Sequence, residues 1–519
     1  MKREMERIVA WVIVAAAVVA GALITWWMVS APGDARGGRL PAEGAIASRS
    51  RQPDGPGAIK EIASHLDSLV PRLMQRYRVP GVGVALVRGG EPVWSAAYGV
   101  ADRESARPME IDSVFQVGSI SKSLTAWGVM ALVERGLIEL DAPVRNYFRS
   151  WDFPEPDDAL DRVTVRALLS NTAGMPLGSF GNEHDPRGEV PPLREALSRQ
   201  ARREREPGAG FSYSNVGFNL LELLIEEVTG RKFAEFMRAE VLAPIGMISA
   251  TFAWTDNVER AVATGYDLSG GPIAPYVYPE KASGGLFATV DDIARFVVAG
   301  ATTANGPTSP VPPVVSRSAL ELMYGPHARI GGVFGVVADW YGLGHFLEEL
   351  PDGTRAAWHG GQGLGWMGHY HTVPATGDGI VILTNSQRSW PMMARVLGLW
   401  GEWSGVGAVK FTRISFGVGL LWSLISLLAV GTGLVGVRVT RGLIRGDRHF
   451  TPFARHARWR RASGFAIGSG VLVALAWAAV QPYLMVTSVF PGVSGWGAAV
   501  VAAAAVVLIA AALVPKERI

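Results

Sequence analysis

Four stretches of this chain are apolar over a length that one bilayer crossing demands: Ile8 to Ala31, Ile414 to Val437, Ala462 to Val480 and Val493 to Val514. A helix needs roughly 20 such residues to cross the hydrocarbon. With 49% hydrophobic and 18% charged residues, the composition is too apolar for a purely soluble protein. The chain therefore divides between lipid and water. The first run follows Lys2, Arg3 and Arg7 and ends near Trp26-Trp27, a pair suited to the far interface. A cleaved signal peptide is the rival reading, with Val29-Ser30-Ala31 as its small-residue site. Pro32 and the length of the run favour an uncleaved anchor over residues 1–31.

Charge gives these spans an orientation. The 519 residues sum to +3, yet Arg438 to Arg461 hold eight Arg against Asp447, a local +7 that leaves −4 elsewhere. Positive-inside bias puts the N-terminus, this Arg loop and the end with Lys516 and Arg518 in the cytoplasm. Residues 32–410 and the uncharged loop 481–492 then face outward. The expected location is a bacterial cytoplasmic membrane, with the lipid bilayer as partner. The Arg loop reads as a topology signal rather than a lipid-headgroup or nucleic-acid site, so no nucleic-acid partner is expected. The three C-terminal runs carry no Lys, Asp or Glu. An ion pathway has no residue to use there, and 406–519 reads as an anchor or partner-binding module.

Residues 32–57 are Gly, Pro and small polar residues without periodicity, a flexible linker. A soluble domain over 58–405 follows. Ile59 to Tyr77 has a helical pattern, and Pro71 inside it predicts a kink or a break near Val70. Val82 to Val87 and Val93 to Val100 flank Arg88-Gly89-Gly90-Glu91 and read as a hairpin. The middle is helical, in Val163 to Ser170, Leu193 to Arg205, Val216 to Val228 and Phe233 to Val241. Strand-like runs return at Tyr341 to Phe346, Arg355 to Trp358, Trp366 to Val373 and Gly379 to Thr384. Strands at both ends of a helical middle imply an α+β fold, one antiparallel sheet completed by both ends of the domain. Without Cys there are no disulfides and no thiol catalysis.

The most informative stretch is Val117-Gly118-Ser119-Ile120-Ser121-Lys122, which leads into a helix apolar on every side and therefore buried. Ser119 and Lys122 are three residues apart and share a face of that helix. Desolvation lowers the pKa of such a Lys, and Ser beside a partly deprotonated amine is a usable nucleophile. The chain has only seven Lys among 49 Lys plus Arg, and only Lys122 has Ser three residues before it. Where Arg dominates, a Lys suggests a place where losing the proton matters. A capping Ser with a snorkelling Lys explains the motif equally well.

Two further motifs bear on the choice. Tyr213-Ser214-Asn215 precedes an apolar helix; Ser214 or Asn215 caps it while Tyr213 packs, or Tyr213 stands near Lys122 with Asn215 orienting that amine. Trp358-His359-Gly360-Gly361-Gln362-Gly363 ends a strand, where glycines allow close approach. The backbone N–H of Gln362, paired with that of Ser119, could bind an oxyanion. His369 and His371 alternate onto one strand face without a carboxylate pattern nearby, so no metal is expected. Asn182-Glu183-His184-Asp185 reads as a solvated loop or as a rim of the pocket, and Asp291-Asp292 as the cap of a helix over Ile293 to Ala299.

In this order, Ser119-x-x-Lys122, Tyr213-x-Asn215 and His359-x-Gly361 resemble the motifs of the serine β-lactamase and penicillin-binding-protein superfamily. The branch they resemble is the class C β-lactamase-like group with its D-Ala-D-Ala carboxypeptidases, D-aminopeptidases and family VIII esterases. Only Tyr213 among eleven Tyr has Asn two residues later, and only His359 among nine His has Gly there. The motif spacings also look like class C. The resemblance implies a β-lactamase/transpeptidase-like fold and a cofactor-free acyl-enzyme mechanism. Ser119 would be the nucleophile, Lys122 and Tyr213 would share acid–base work, and Asn215, His359 and Gly361 would bind and orient substrate. A small-molecule or peptidoglycan-derived ester or amide is the implied substrate. True class C β-lactamases have Lys-Thr-Gly where this chain has His359-Gly360-Gly361, so a neutral imidazole and no hydroxyl meet the substrate carboxylate. That points to an esterase or amidase rather than an efficient β-lactamase. The competing expectation is a penicillin-binding sensor or membrane scaffold that acylates slowly without turnover.

Overall fold

The computed structural model describes residues 56–155, 157–178, 182–303, 313–451, 458–481 and 485–516. The expected N-terminal span and nearly all of the 32–57 linker lie outside the described residues. One compact unit ends at Arg413 and a second begins at Ile414.

In the first unit, helix α1 (Pro56–Tyr77) leads into strands β1 (Gly81–Arg88) and β2 (Glu91–Gly99). Gly89 and Gly90 join the strands at φ 60° and 83°. A two-residue hairpin turn needs such left-handed values at both positions, and glycine adopts them without steric cost. Helices α2 (Ser121–Glu134), α3 (Asn215–Thr229) and α4 (Val290–Ala299) follow, then strands β3 (Ala328–Arg329), β4 (Trp340–Tyr341), β5 (Phe346–Glu349), β6 (Arg355–Gln362), β7 (Met367–Val373) and β8 (Asp378–Thr384), and finally helix α5 (Trp390–Ser404). The eight strands form one sheet in the order β2-β1-β8-β7-β6-β5-β4-β3. All its pairings are antiparallel, and β1 meets β8 with Val84 opposite Ile382. Both ends of the domain thus complete one sheet, as the expected α+β fold requires.

Consecutive residues of β6 show what covers the sheet. A Cβ on Gly360 would meet the Trp390 ring of α5, whereas one on Gly361 would meet Val117 and Ile120 at the start of α2. Neighbouring strand residues point to opposite faces, so α5 and the α2 start lie on opposite sides. Helix α1 packs beside α5 and β2. It runs through Pro71 without ending, so of the expected kink or break there is no break. Its buried Ile62, Leu66, Val70 and Leu73 bury enough apolar surface to offset the lost backbone bond. The expected strand Tyr341 to Phe346 is two, because Gly344 at φ 82° turns the chain between β4 and β5. Thr289, rather than Asp291, caps α4; it forms a capping box with Asp292, so the helix begins three residues earlier than expected.

The second unit holds helices α6 (Arg413–Ile444), α7 (Arg458–Ala479) and α8 (Val493–Leu513). All three are long and apolar enough to cross a membrane. Helix α6 outruns the apolar stretch and carries Arg438 and Arg441 on its last turns. The basic loop also has a structural task. Arg448 Nη1 donates to the carbonyl of Val514 at 2.9 Å and Arg461 Nε to that of Ala512 at 2.8 Å. Cations there complement the negative end of α8.

Candidate active site

From Ser113 to Leu132 every residue is buried except Ser119. The chain enters this stretch through a short 3-10 turn, Gly118–Ile120, which runs directly into α2. Ser119 is thus the one place where this apolar segment opens outward. Lys122, one helical turn on, has no exposed surface. Its Nζ lies 3.2 Å from Ser119 Oγ, 2.7 Å from Asn215 Oδ1 and 2.8 Å from the Ser283 carbonyl. Burial drives its pKa well below the ordinary lysine range. A neutral amine has two hydrogens and one lone pair. Asn215 Oδ1 and the Ser283 carbonyl can only accept, so they take both hydrogens and the lone pair is left for the Ser119 hydroxyl. In that neutral form, which burial favours, the amine is placed to act as a general base.

Three residues of one segment complete this arrangement. Ser214 caps α3, accepting from the Gly217 N–H at 2.8 Å, which leaves Asn215 free to reach Lys122. The Tyr213 phenol interacts with Ser119, and burial outweighs that contact and raises its pKa, so the hydroxyl stays protonated. Its ring lies 4.9 Å below Lys122 Nζ and stacks on Phe334 and Phe346 at 5.6 and 6.0 Å between centroids. The two sequence readings of this motif hold together: Ser214 caps, and Tyr213 both packs and faces the hydroxyl. The stretch Leu168 to Met175 also resembles the superfamily, but the sequence assigns no role to Asn171 within it. Its φ of 56° is left-handed, its carbonyl accepts from Ser212 at 2.8 Å, and its Oδ1 accepts from Ser214 N–H at 2.9 Å. It thus fixes the segment that carries Tyr213. The available signal was Asn in a short polar turn, Ser170-Asn171-Thr172, since Asn tolerates this conformation better than most residues.

The end of β6 packs backbone to backbone against the turn that carries Ser119. A Cβ on Gly361 would stand 1.9 Å from the Val117 carbonyl oxygen, and one on Gly118 would stand 2.7 Å from Gln362 N. Gly118 itself has φ 54°. Side chains are excluded, and the Gln362 backbone lies beside Ser119, whose own N–H is in the first helical turn where donors lack an intrahelical acceptor. Two backbone N–H groups so placed could bind an oxyanion. His359 is placed differently. It is fully buried, Nδ1 donates to the Gly360 carbonyl at 2.8 Å, and Nε2 accepts from Tyr341 Oη at 3.2 Å. Burial, with nearby Lys122 adding to it, holds its pKa well below the usual imidazole range. It reaches the nucleophile only by packing, its ring centroid 6.2 Å from that of Tyr213.

The other sequence candidates lie elsewhere. His369 and His371 face each other behind Trp358, with Nε2 and Nδ1 3.4 Å apart. A carboxylate does stand nearby, which the sequence pattern hid: Glu348 Oε1 is 3.4 Å from His371 Nε2. Burial pushes Glu348 up to about 8 and His371 down to about 3, so the pair is neutral at pH 7. The Asn182 loop is not simply solvated. Asn182 Nδ2 donates to Glu280 at 2.9 Å and His184 bridges Val277. Among the described residues no group of three or more acidic or imidazole ligands could hold a metal.

Comparison with known proteins bears on the family and the fold. The beta-lactamase family model matches residues 66–398. The chain is 31% identical over 213 residues to esterase EstB of Burkholderia gladioli, covering 39% of this chain and 54% of that one. It is 29% identical over 192 residues to penicillin-binding protein 4* of Bacillus subtilis, covering 35% and 40%. The chain thus spans about half or less of the length of these curated relatives. Among solved structures, an octameric penicillin-binding protein homologue from Pyrococcus abyssi superposes with TM-score 0.55 at 25% identity, over 67% of this chain and 78% of that one. SurE solved with D-Leu gives 0.54 at 25%, over 67% and 77%. With a family match over well more than half its length and a penicillin-binding-protein-like fold, the chain belongs to the beta-lactamase family of serine hydrolases.

Proposed function

We propose that this protein is a membrane-anchored serine hydrolase, its catalytic domain outside the cytoplasm, that cleaves an ester or amide through an acyl-enzyme on Ser119. One observation carries the reading: Lys122 has both acceptors it needs to turn a lone pair toward Ser119 Oγ. Ser119 gives its proton to Lys122 as Oγ adds to the substrate carbonyl. The N–H groups of Ser119 and Gln362 hold the oxyanion. Collapse breaks the carbonyl–heteroatom bond, and the leaving group takes a proton from the Tyr213 phenol, which Lys122 resupplies. Water then attacks the ester on Ser119, its proton returning through the same pair, and the free hydroxyl is restored.

The substrate side favours neutral esters or D-amino-acid amides over β-lactams. A substrate carboxylate would need a cation, and His359 is buried, uncharged and occupied on both nitrogens. Similarity to an esterase and to a structure holding D-Leu supports the same choice. Three apolar helices support the membrane placement. The test uses the full chain in detergent with p-nitrophenyl esters, D-amino-acid amides, D-alanyl-D-alanine peptides and nitrocefin. Sustained turnover of esters or amides, abolished in Ser119→Ala, is expected. Faster turnover of nitrocefin would overturn the substrate assignment. One burst of labelling without turnover would instead identify a slowly acylated sensor.

A further inference from the structure

Glu222 has no part in the mechanism above, yet it is 1% exposed on a helix that helps build the site. It stands seven residues after Asn215 on α3, two helical turns on, so the two share a face. Asn215 holds Lys122 Nζ directly. Glu222 Oε2 accepts the N–H groups of Lys281 and Ala282 at 2.5 and 2.7 Å. The next residue is Ser283, whose carbonyl takes the other Lys122 hydrogen. The far side of the turn is held from α2. Thr125 Oγ1 donates to the Ala282 carbonyl at 2.9 Å, and Ser121 Oγ accepts from Leu286 N–H at 3.0 Å. Glu222 is thus the α3 anchor of a loop otherwise gripped by the nucleophile's own helix.

We infer that Glu222 is a positioning residue: it sets the Ser283 carbonyl where it claims one Lys122 hydrogen and so keeps the lone pair on Ser119. This deepens the proposed mechanism and rests on it. A role limited to satisfying two buried amides would be met by any fold-preserving acceptor and would leave no trace in catalysis. A role in orienting Lys122 appears in the acylation rate. Burial also pushes the Glu222 pKa up to about 7, so its charge changes within the working range. The titratable groups around it are Lys281, with Nζ at 4.0 Å on the loop, and Glu226, one turn later on α3; Lys122 on α2 bonds the same loop. A protonated carboxyl accepts more weakly than a carboxylate. Acylation is therefore expected to fall as the pH drops through about 7.

The experiment compares wild type, Glu222→Gln and Glu222→Leu as full chains in detergent, reading the acylation rate with a fluorophosphonate and kcat and KM with a p-nitrophenyl ester from pH 5 to 9. Glu222→Gln keeps one acceptor oxygen; it should stay within a few-fold of wild type at neutral pH and lose the acid limb near pH 7. Glu222→Leu should slow acylation on the order of 10- to 100-fold with little change in KM, the scale of a misplaced catalytic group. Acylation by Glu222→Leu at the wild-type rate would overturn the inference. If that variant does not fold, the Gln variant decides alone, and an acid limb unchanged from wild type would equally overturn it. Failure of wild type to label at all, or labelling that survives Ser119→Ala, would instead sink the Ser119 mechanism.

Discussion

Two clusters of buried titratable groups lie on this sheet and its first covering helix, and only one is built to react. Around Ser119, a buried amine has three oxygen partners within hydrogen-bond distance, one of them the hydroxyl of the single residue of a long buried stretch that is not itself buried. Around Trp358, His369, His371 and Glu348 are as deeply buried, but sealed by stacked aromatic rings, and burial moves each toward its neutral form. Perturbed pKa values alone would mark both clusters as sites. What separates them is an outlet to substrate and a partner set that commits one lone pair to one nucleophile.

The largest effect that tests this contrast is at the nucleophile: Ser119→Ala should reduce ester turnover about 10⁴-fold or more while the melting temperature hardly moves. Lys122→Arg comes next. Arg cannot lose its proton, so steady-state assays should show a loss of about 10³-fold, and no rise in pH within the folded range should restore the rate. Wild type, with its depressed lysine pKa, should already be active at neutral pH. Tyr213→Phe keeps the stack on Phe334 but removes the phenolic proton; about 10²-fold in kcat is expected, with esters bearing good leaving groups less affected. In the sealed cluster the effect should be small and confined to stability. The folded pKa of Glu348 is raised to about 8, so an unfolded chain releases its proton first as pH rises past the ordinary carboxylate range. The contribution of Glu348 to stability should therefore decline from about pH 5 to 8 and level off above that. Glu348→Gln should abolish this decline, leaving a melting point a few degrees higher than wild type at pH 9 and turnover unchanged. Loss of turnover in that variant would break the contrast.

The chemistry-bearing motifs were legible because they are short, polar and out of place: a rare Lys after Ser, one Tyr-x-Asn, one His-x-Gly. The sheet was legible through alternation and turns. What escaped was whatever depends on distant partners. Pro71 reads as a breaker until α1 is packed against α5. His359 reads as a replacement for a cation facing substrate until Tyr341 occupies it. Asn171 and Glu222 bond residues tens of positions away; a short polar turn is all that marks Asn171, and no local pattern marks Glu222. The contact of Glu348 with His371 crosses two strands and is invisible in either run.

The close backbone approach at Gly118 and Gly361 has a consequence for how such a protein can change over generations. Because Gly361 leaves no room for a side chain and Gln362 would contribute only its main chain, the oxyanion framework is indifferent to most neighbouring side-chain identities. Replacements at surrounding loops can redraw the pocket without disturbing attack on the carbonyl. Replacement of either glycine would instead collide with main chain. Lineages built on this plan can therefore explore new acyl and leaving groups while inheriting the bond-breaking step intact.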